Sequence, residues 1–415
     1  MQLIDFVNPA LSHTMGRMAT PTPTRRIWAF PYTQVHFRCT GTAIGARLVH
    51  HWGYGDIYLG AVIDGQQVKV PVPIDAAHDA VSLVNGYPSR VEPEQADSRD
   101  ARQPVDVMLA EHLPDIEHDV IIFKRQDEGG ARFDMHGVLI DDDATICAPS
   151  EPQPNRRIEF YGDSVTCGER CEAICYEGKA DPEVDLSGYS NAWHSYAAVT
   201  ARNLGAQAHL VAQGGASLID GIGWFHAPDY LGLESIWDRA AYNPELGETP
   251  QWDFSAYTPQ VVVVAIGQND SHPYDFMAEE YSGEQARHWR ARYVDFVHAL
   301  RAKYPHALIV LTTTILQHDP AWDRAIDEVC ETVAYQRVKH FMYLRNGAAT
   351  PGHPRVGEQR EMAMELTSYL RSFGPDLWRC PRNNPGRTHR NHCRTITIEG
   401  DAAWSPQPVL HQDPK

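Results

Sequence analysis

The chain has 415 residues, 43% of them hydrophobic, and a formal net charge of −18 from 54 acidic and 36 basic residues. That length buries substantial cores and favours two domains, which excludes a disordered chain. The acidic field repels phosphate, so a general affinity for nucleic acid or an anionic membrane surface is excluded and a neutral partner fits better.

No apolar run approaches the roughly 20 residues that span a bilayer. The start, "MQLIDFVNPALSHTMGRM", lacks a basic stretch followed by a compact apolar one. As written the chain reads as cytoplasmic, or as secreted if a signal segment has been removed, and residues 1–25 read as an N-terminal segment. From 26 to 150 the pattern is one of short β-branched or aromatic runs, "VHFRCTGTAIGARLVH", "DIYLGAVIDGQQVKVPV", "HDVIIFKRQ" and "ARFDMHGVLI", with a hairpin signal at Asp64 and Gly65. Many short strands at this spacing predict an all-β sandwich. The polar stretch 85–104 reads as a loop inserted in it.

The proline-bearing "APSEPQPNRR" is a linker, and the rhythm changes beyond it. From 155 to 374, the apolar runs "RIEFYG", "AHLVAQGG", "VVVVAIGQND", "ALIVLTTT" and "VKHFMYL" alternate with segments of helical period over 192–204, 283–303, 321–336 and 356–371. Alternation of this kind predicts an α/β domain with a parallel sheet covered on both faces, and ligands at the carboxyl ends of its strands. Residues 375–415, dense in Pro, Arg and His, read as an irregular extension. Neither pattern specifies an oligomeric state.

Chemistry gathers at those strand ends. "FYGDS" places Gly162, Asp163 and Ser164 where the first strand turns toward a helix, exposing a hydroxyl beside backbone N–H groups. Gly214 and Gly215 follow the second strand, "GQND" with Asn269 and Asp270 the third, and "GHP" with His353 the fifth. An acyl-transfer site needs a nucleophile, a base and oxyanion donors. Ser164, His353, and the N–H groups of Ser164 and Gly214 with the Asn269 amide fill those roles in that order. Asp163 and Asp270 read as braces of their loops. The plainer reading of each is a helix cap, a turn or a positive φ angle. Thr166 stands two residues beyond Ser164 where a nucleophile elbow carries Gly.

These blocks resemble the SGNH, or GDSL-type, hydrolases. With "GTAIGARL", "VIDG", "HDVIIFKR" and "RIEFYGDSVTCG", the chain is more specifically similar, over about residues 41–371, to carbohydrate esterase family 2. The resemblance implies a flavodoxin-like α/β/α SGNH hydrolase domain preceded by a jelly-roll sandwich. It implies a Ser-His esterase that removes acetyl groups from xylan, mannan or glucomannan, often at the 6-hydroxyl, through an acetyl-enzyme that another sugar hydroxyl can intercept. No cofactor is implied.

Two departures stand out. Thr350 and Pro351 occupy the positions where many SGNH enzymes carry an Asp before the His, so a backbone carbonyl orients His353 or an acid arrives from elsewhere. Gly352 replaces an aromatic residue often found directly before the His, removing a wall of the sugar site. Trp193, Trp224 and Tyr230 are the expected substrate-contacting aromatics, with loops between 217 and 257 around them, whereas His194, His226 and His272 read as packing or surface histidines. No metal is expected. Cys167, Cys171 and Cys175 read as free thiols that share a face if their segment is helical, and Cys380, His389, His392 and Cys393 match no metal motif. The rival readings are a glycan-binding protein that has lost activity, and an SGNH esterase for another acyl group.

Overall fold

The computed structural model describes residues 1–73 and 103–379, with the backbone of the two-residue strands Leu83–Val84 and Tyr87–Pro88. Two antiparallel six-stranded sheets form the N-terminal domain. One is centred on Ala131–Ile140 and Ile44–Trp52, the other on His118–Lys124 and Gln34–Cys39. Alternate residues of these strands point inward, and Val35, Phe37, Leu59, Val120, Ile122 and Phe133 meet between the sheets as one core.

The first 25 residues are not a separate segment. Gln2–Ile4, His13–Met15 and Met18–Thr22 pair along the sandwich sheets. Runs of three to five residues are too short to show a period, so only pairing reveals them. Of the stretch 85–104, nearly all lies outside the described residues; so do Cys380, His389, His392 and Cys393, and the extension beyond Pro375–Trp378.

The second domain carries a five-stranded parallel sheet of Arg156–Gly162, Ala206–Ala212, Val261–Ala265, Leu308–Thr312 and Val338–His340. Numbered along the chain, its strands lie in the order 2-1-3-4-5. This is a flavodoxin-like doubly wound sheet, whose switch point lies between the first and third strands. Gly162 is in register with both Ala212 and Ala265, so the three loops that follow leave the sheet at one level.

Helices cover both faces. Glu284–Lys303 buries Ala286, Trp289, Tyr293, Phe296, Val297 and Leu300, the spacing of a single helical stripe. Two helices depart from expectation at their ends. Tyr196–Asn203 starts late because Asn191 and Ser195 each cap a separate turn, and Pro320–Val333 stops early where Ala334 turns left-handed at φ 50. No described helix is long and apolar enough to cross a membrane.

A charged group is sealed in the core that joins the halves. Arg17, from the N-terminal segment, donates to Glu159 Oε1 on the first parallel strand at 3.0 and 3.1 Å, to Tyr161 Oη at 2.8 Å and to the Trp237 carbonyl at 2.6 Å. Tyr161 and Tyr304 donate to the other Glu159 oxygen at 2.8 and 2.7 Å. Both charged side chains are fully buried.

Candidate active site

The first parallel strand ends at Gly162 because nothing larger fits there. A Cβ on Gly162 would lie 2.1 Å from Thr166 Oγ1. Asp163 is still extended, and its Oδ1 accepts from Val165 N–H at 3.0 Å, capping a four-residue helix that Ser164 opens and Gly168 closes at φ 68. The Ser164 side chain sits in a site that leaves it 4% exposed. Because the helix ends at Cys167, the three cysteines do not share a helical face: Cys167 and Cys171 are buried, Cys175 is exposed, and all three are free thiols.

Asp163 ties this loop to the one after the third strand, accepting from Gln268 Nε2 at 2.9 Å and Asn269 Nδ2 at 3.2 Å. Asn269 Nδ2 also donates to the Ala216 carbonyl at 3.0 Å, so its amide is shared between the first and second loops. Asp270 accepts from Leu218 N–H at 2.8 Å and Trp289 Nε1 at 2.6 Å, joining the third loop to the second. Burial pushes both aspartates up to about 7, Asp163 against the pull of Val165 N–H and with a further push from the nearby charges of Asp270 and Glu169.

His353 is oriented by an acid from a distant loop. Its Nδ1 lies 2.5 Å from Asp181 Oδ2. Burial would raise the Asp181 carboxyl, yet the hydrogen bonds and charges of His353 and Arg355 hold it well below the usual carboxylate range. Arg355 binds the other oxygen and Arg170 Nη1 lies 3.0 Å from Oδ2. The two sequence departures now share one cause. A Cβ on Gly352 would lie 2.4 Å from the Lys179 carbonyl and 2.9 Å from Asp181 Oδ1, so only glycine admits the loop that delivers the acid. Gly352→Ala is therefore expected to push Asp181 away from His353 and lower kcat by about 100-fold with little change in KM, measured on a soluble acetyl ester.

The second loop differs from expectation. Gly214 N–H donates to Asp127 Oδ2 at 2.8 Å and is not turned toward an oxyanion in this state, whereas the neighbouring Gly215 N–H has no hydrogen-bond partner among the described residues. Gly215 has φ 78, and a Cβ there would lie 2.9 Å from Trp224 Cβ. Asp127 comes from the sandwich domain, whose 125–130 loop is built into the catalytic domain. Arg125 pairs with Glu172, Gly129 N–H donates to Gln213 Oε1, and Glu128 accepts from the N–H groups of Tyr242 and Asn243. Burial, then the charge of Glu169, raises the Asp127 carboxyl above its ordinary range. Ser164 Oγ and His353 form no direct hydrogen bond; His353 Nε2 faces Glu169 Oε2 at 3.9 Å. Among the described residues no group of three or more His, Cys, Asp or Glu is arranged to hold a metal.

Residues 160–351 match the GDSL-like Lipase/Acylhydrolase family. The chain is 27% identical over 329 residues to the acetylxylan esterase / glucomannan deacetylase of Cellvibrio japonicus, covering 78% of this chain and 84% of that protein. A solved family two carbohydrate esterase from Cellvibrio japonicus superposes with a TM-score of 0.66 at 26% identity, over 89% of this chain and 97% of that one. In sequence and in fold the chain is similar to carbohydrate esterase family 2. It is also 29% identical over 272 residues to the cellulase/esterase CelE of Acetivibrio thermocellus, across 65% of this chain and 28% of that longer protein.

The esterase carries an exposed aromatic platform beside the second and third loops. Trp224, 41% exposed, stacks on His272 with ring centroids 3.4 Å apart, and Tyr230 meets the same imidazole edge-on at 6.2 Å. His272 Nδ1 hydrogen-bonds the Gly223 carbonyl at 2.7 Å, so this histidine holds the platform. Trp193 is elsewhere. It packs between Tyr32 and Phe123 with the Arg202 guanidinium 4.3 Å from its ring centre, closing the seam between the domains, because a large apolar ring is most stable where both domains cover it. His194 and His226 lie beside Glu172 and Glu245, away from Ser164 and His353 in the contacts they make.

Sequence reasoning missed Asp181, Asp127, Glu169 and Arg355. Asp181 sits in "YEGKADPEVDLSGYS", one of several acids in a stretch with no period, and nothing local marks which one reaches His353.

Proposed function

We propose that this esterase removes O-acetyl groups from plant polysaccharides or their oligosaccharides, with acetylated mannan, glucomannan or xylan as substrates and the 6-O-acetyl group as a principal target. The observation that carries this reading is the 2.5 Å contact between His353 and Asp181 at the strand ends where Ser164 opens its helix. In this reading Asp181 holds the imidazole with Nε2 toward the serine. His353 takes the Ser164 proton as Oγ attacks the acetyl carbonyl, and returns it to the departing sugar hydroxyl. Water then hydrolyses the acetyl-enzyme, or another sugar hydroxyl intercepts it as a transacetylation.

The oxyanion is held by the Ser164 N–H, a glycine N–H of the second loop and the Asn269 amide, which exchanges its longer bond to Asp163 for the oxyanion. Gly214 was expected for the glycine role; its N–H is committed to Asp127, so Gly215 N–H serves while that contact persists. The exposed Trp224 ring offers a stacking face to a pyranose, and Tyr230 lies beside it. The net charge of −18 suits a neutral glycan.

Acetate release from acetylated mannan and xylan, alongside Ser164→Ala and His353→Ala, tests this. Loss of release in both variants supports the serine mechanism; absence of release by the unaltered protein from polysaccharide, oligosaccharide and a simple acetyl ester would reject it in favour of glycan binding. Asn269→Ala is expected to lower kcat by about 100-fold or more on a soluble acetyl ester. A rate within a few-fold of the unaltered enzyme would remove Asn269 from the oxyanion site.

A further inference from the structure

One side chain in the catalytic centre has no part in the mechanism above. Glu169 lies one turn past Ser164, and its N–H donates to the Ser164 carbonyl at 2.9 Å, which fixes its stem beside the nucleophile. The same carboxylate oxygen, Oε2, is 3.9 Å from His353 Nε2 and would be 2.3 Å from a Cβ on Gly214. It therefore stands between the base and the second loop. On the serine-esterase reading, the acyl group attacked by Ser164 lies between the same two elements. The other oxygen pairs with Arg170 Nε at 3.2 Å. Asp127 Oδ2 comes within 3.0 Å of the same point on Gly214, so two carboxylates from two domains converge there.

Attraction between the two acids does not explain this arrangement, since like charges at such separations repel. Each is held by its own partners: Asp127 by Gly214 N–H, with Lys124 Nζ donating to its backbone carbonyl at 2.7 Å, and Glu169 by Arg170. Glu169 also lines a small cavity together with Tyr54, Gln126, Asp127, Ser187 and Ser190.

Resting on the serine-esterase reading above, we propose that Glu169 is the specificity-determining residue of the acyl site: its carboxylate fills that site in the resting enzyme, yields to a neutral acetyl group, and rejects anionic acyl groups and free acetate. A neutral acetyl ester displaces it at the cost of rotating one side chain. An acyl group bearing its own carboxylate, or the acetate product, is brought against Glu169 and Asp127 together, with little water to screen the charges. Discrimination by such a repulsive element adds to whatever the pocket's shape provides.

The test compares 4-nitrophenyl acetate with the anionic 4-nitrophenyl hemisuccinate, and measures inhibition by sodium acetate, for the full-length enzyme and Glu169→Gln, Glu169→Ala and Glu169→Asp. In Glu169→Gln and Glu169→Ala the preference for the neutral ester should fall by about tenfold or more, and acetate should inhibit at correspondingly lower concentration. Glu169→Asp, which keeps the charge on a shorter stem, should keep the preference and separates charge from any loss of folding in the other two. A neutral-to-anionic ratio within about twofold of the unaltered enzyme in both neutral variants overturns the proposal. So does an equal loss of kcat on both esters in Glu169→Gln, which would place Glu169 in the chemistry. Activity surviving in Ser164→Ala would instead sink the serine mechanism, and that outcome is distinct from either of these.

Discussion

Asp181→Asn should lower kcat on a soluble acetyl ester by about 10³–10⁴-fold while changing KM little. The argument is one of tautomer and charge. With Asp181 ionised and 2.5 Å from Nδ1, the imidazole carries its proton on Nδ1 and leaves Nε2 free to accept from a serine. Asparagine at this position can present its N–H₂ to Nδ1 instead, which puts the imidazole proton on Nε2 and blocks the base. It also removes the negative charge that stabilises the imidazolium formed as Ser164 attacks.

A purely structural role for Asp181 predicts a different result. The variant would melt lower, yet its residual activity would keep the parent pH profile. A positioning role shifts that profile, because the imidazolium loses its carboxylate partner, and Asp181→Glu would restore part of the rate. A kcat within about threefold of the parent would show that a backbone carbonyl, not Asp181, orients His353. The Arg355 side chain, fully buried, loses a carboxylate partner in the same variant and keeps the Arg170 carbonyl at 2.9 Å, so thermal melting should be recorded beside the rates.

Arg17→Met should destabilise the protein by about 3–5 kcal/mol, because it strands the Glu159 carboxylate in the core. The cost lies in the broken pair: Glu159 and Arg17 are both fully buried, and Tyr161 and Tyr304 already point their hydroxyls at the carboxylate. Arg17→Met combined with Glu159→Gln should recover much of the loss, since no uncompensated charge remains. Denaturant midpoints of the two variants against the parent measure both effects. Equal midpoints for Arg17→Met and the parent would mean that water reaches Glu159.

The same pair sets a pH dependence. Burial alone would raise Glu159, but the charge of Arg17 and the bonds from His209 and Tyr304 take it from 4.5 down to about 2. Between those values the unfolded chain holds a proton that the folded one does not. Stability from this group is therefore complete above about 4.5 and is lost as the pH falls through about 2. Glu159→Gln should flatten the stability curve in that acid window and leave its shape near neutrality unchanged.

Much of the architecture is legible in the chain because burial imposes a period. "VVVVA" is apolar at every position since both faces of a parallel strand are covered, and the helix Glu284–Lys303 repeats its apolar residues on one stripe for the opposite reason. The placement of Ser164 is legible too, since it adjoins the turn after the strand Arg156–Gly162, and His353 lies just before the helix Val356–Ser372 that the period locates. The short edge strands before residue 25 are not, being shorter than the period that would betray them. Nothing local in the sequence separates Trp193 from Trp224; one packs half-buried in the domain seam and the other lies open beside His272.

Local pattern by itself determined the sandwich, the parallel sheet and the turn that carries Ser164 at its carboxyl edge, because periodicity and turn chemistry act between near neighbours. Tertiary structure alone decided which acid contacts His353, 172 residues away, and which carboxylates converge on Gly214. Those choices depend on how Gly352 admits the Asp181 loop and how the sandwich inserts Asp127 beside Gly214, and contacts made across domains leave no period in the chain.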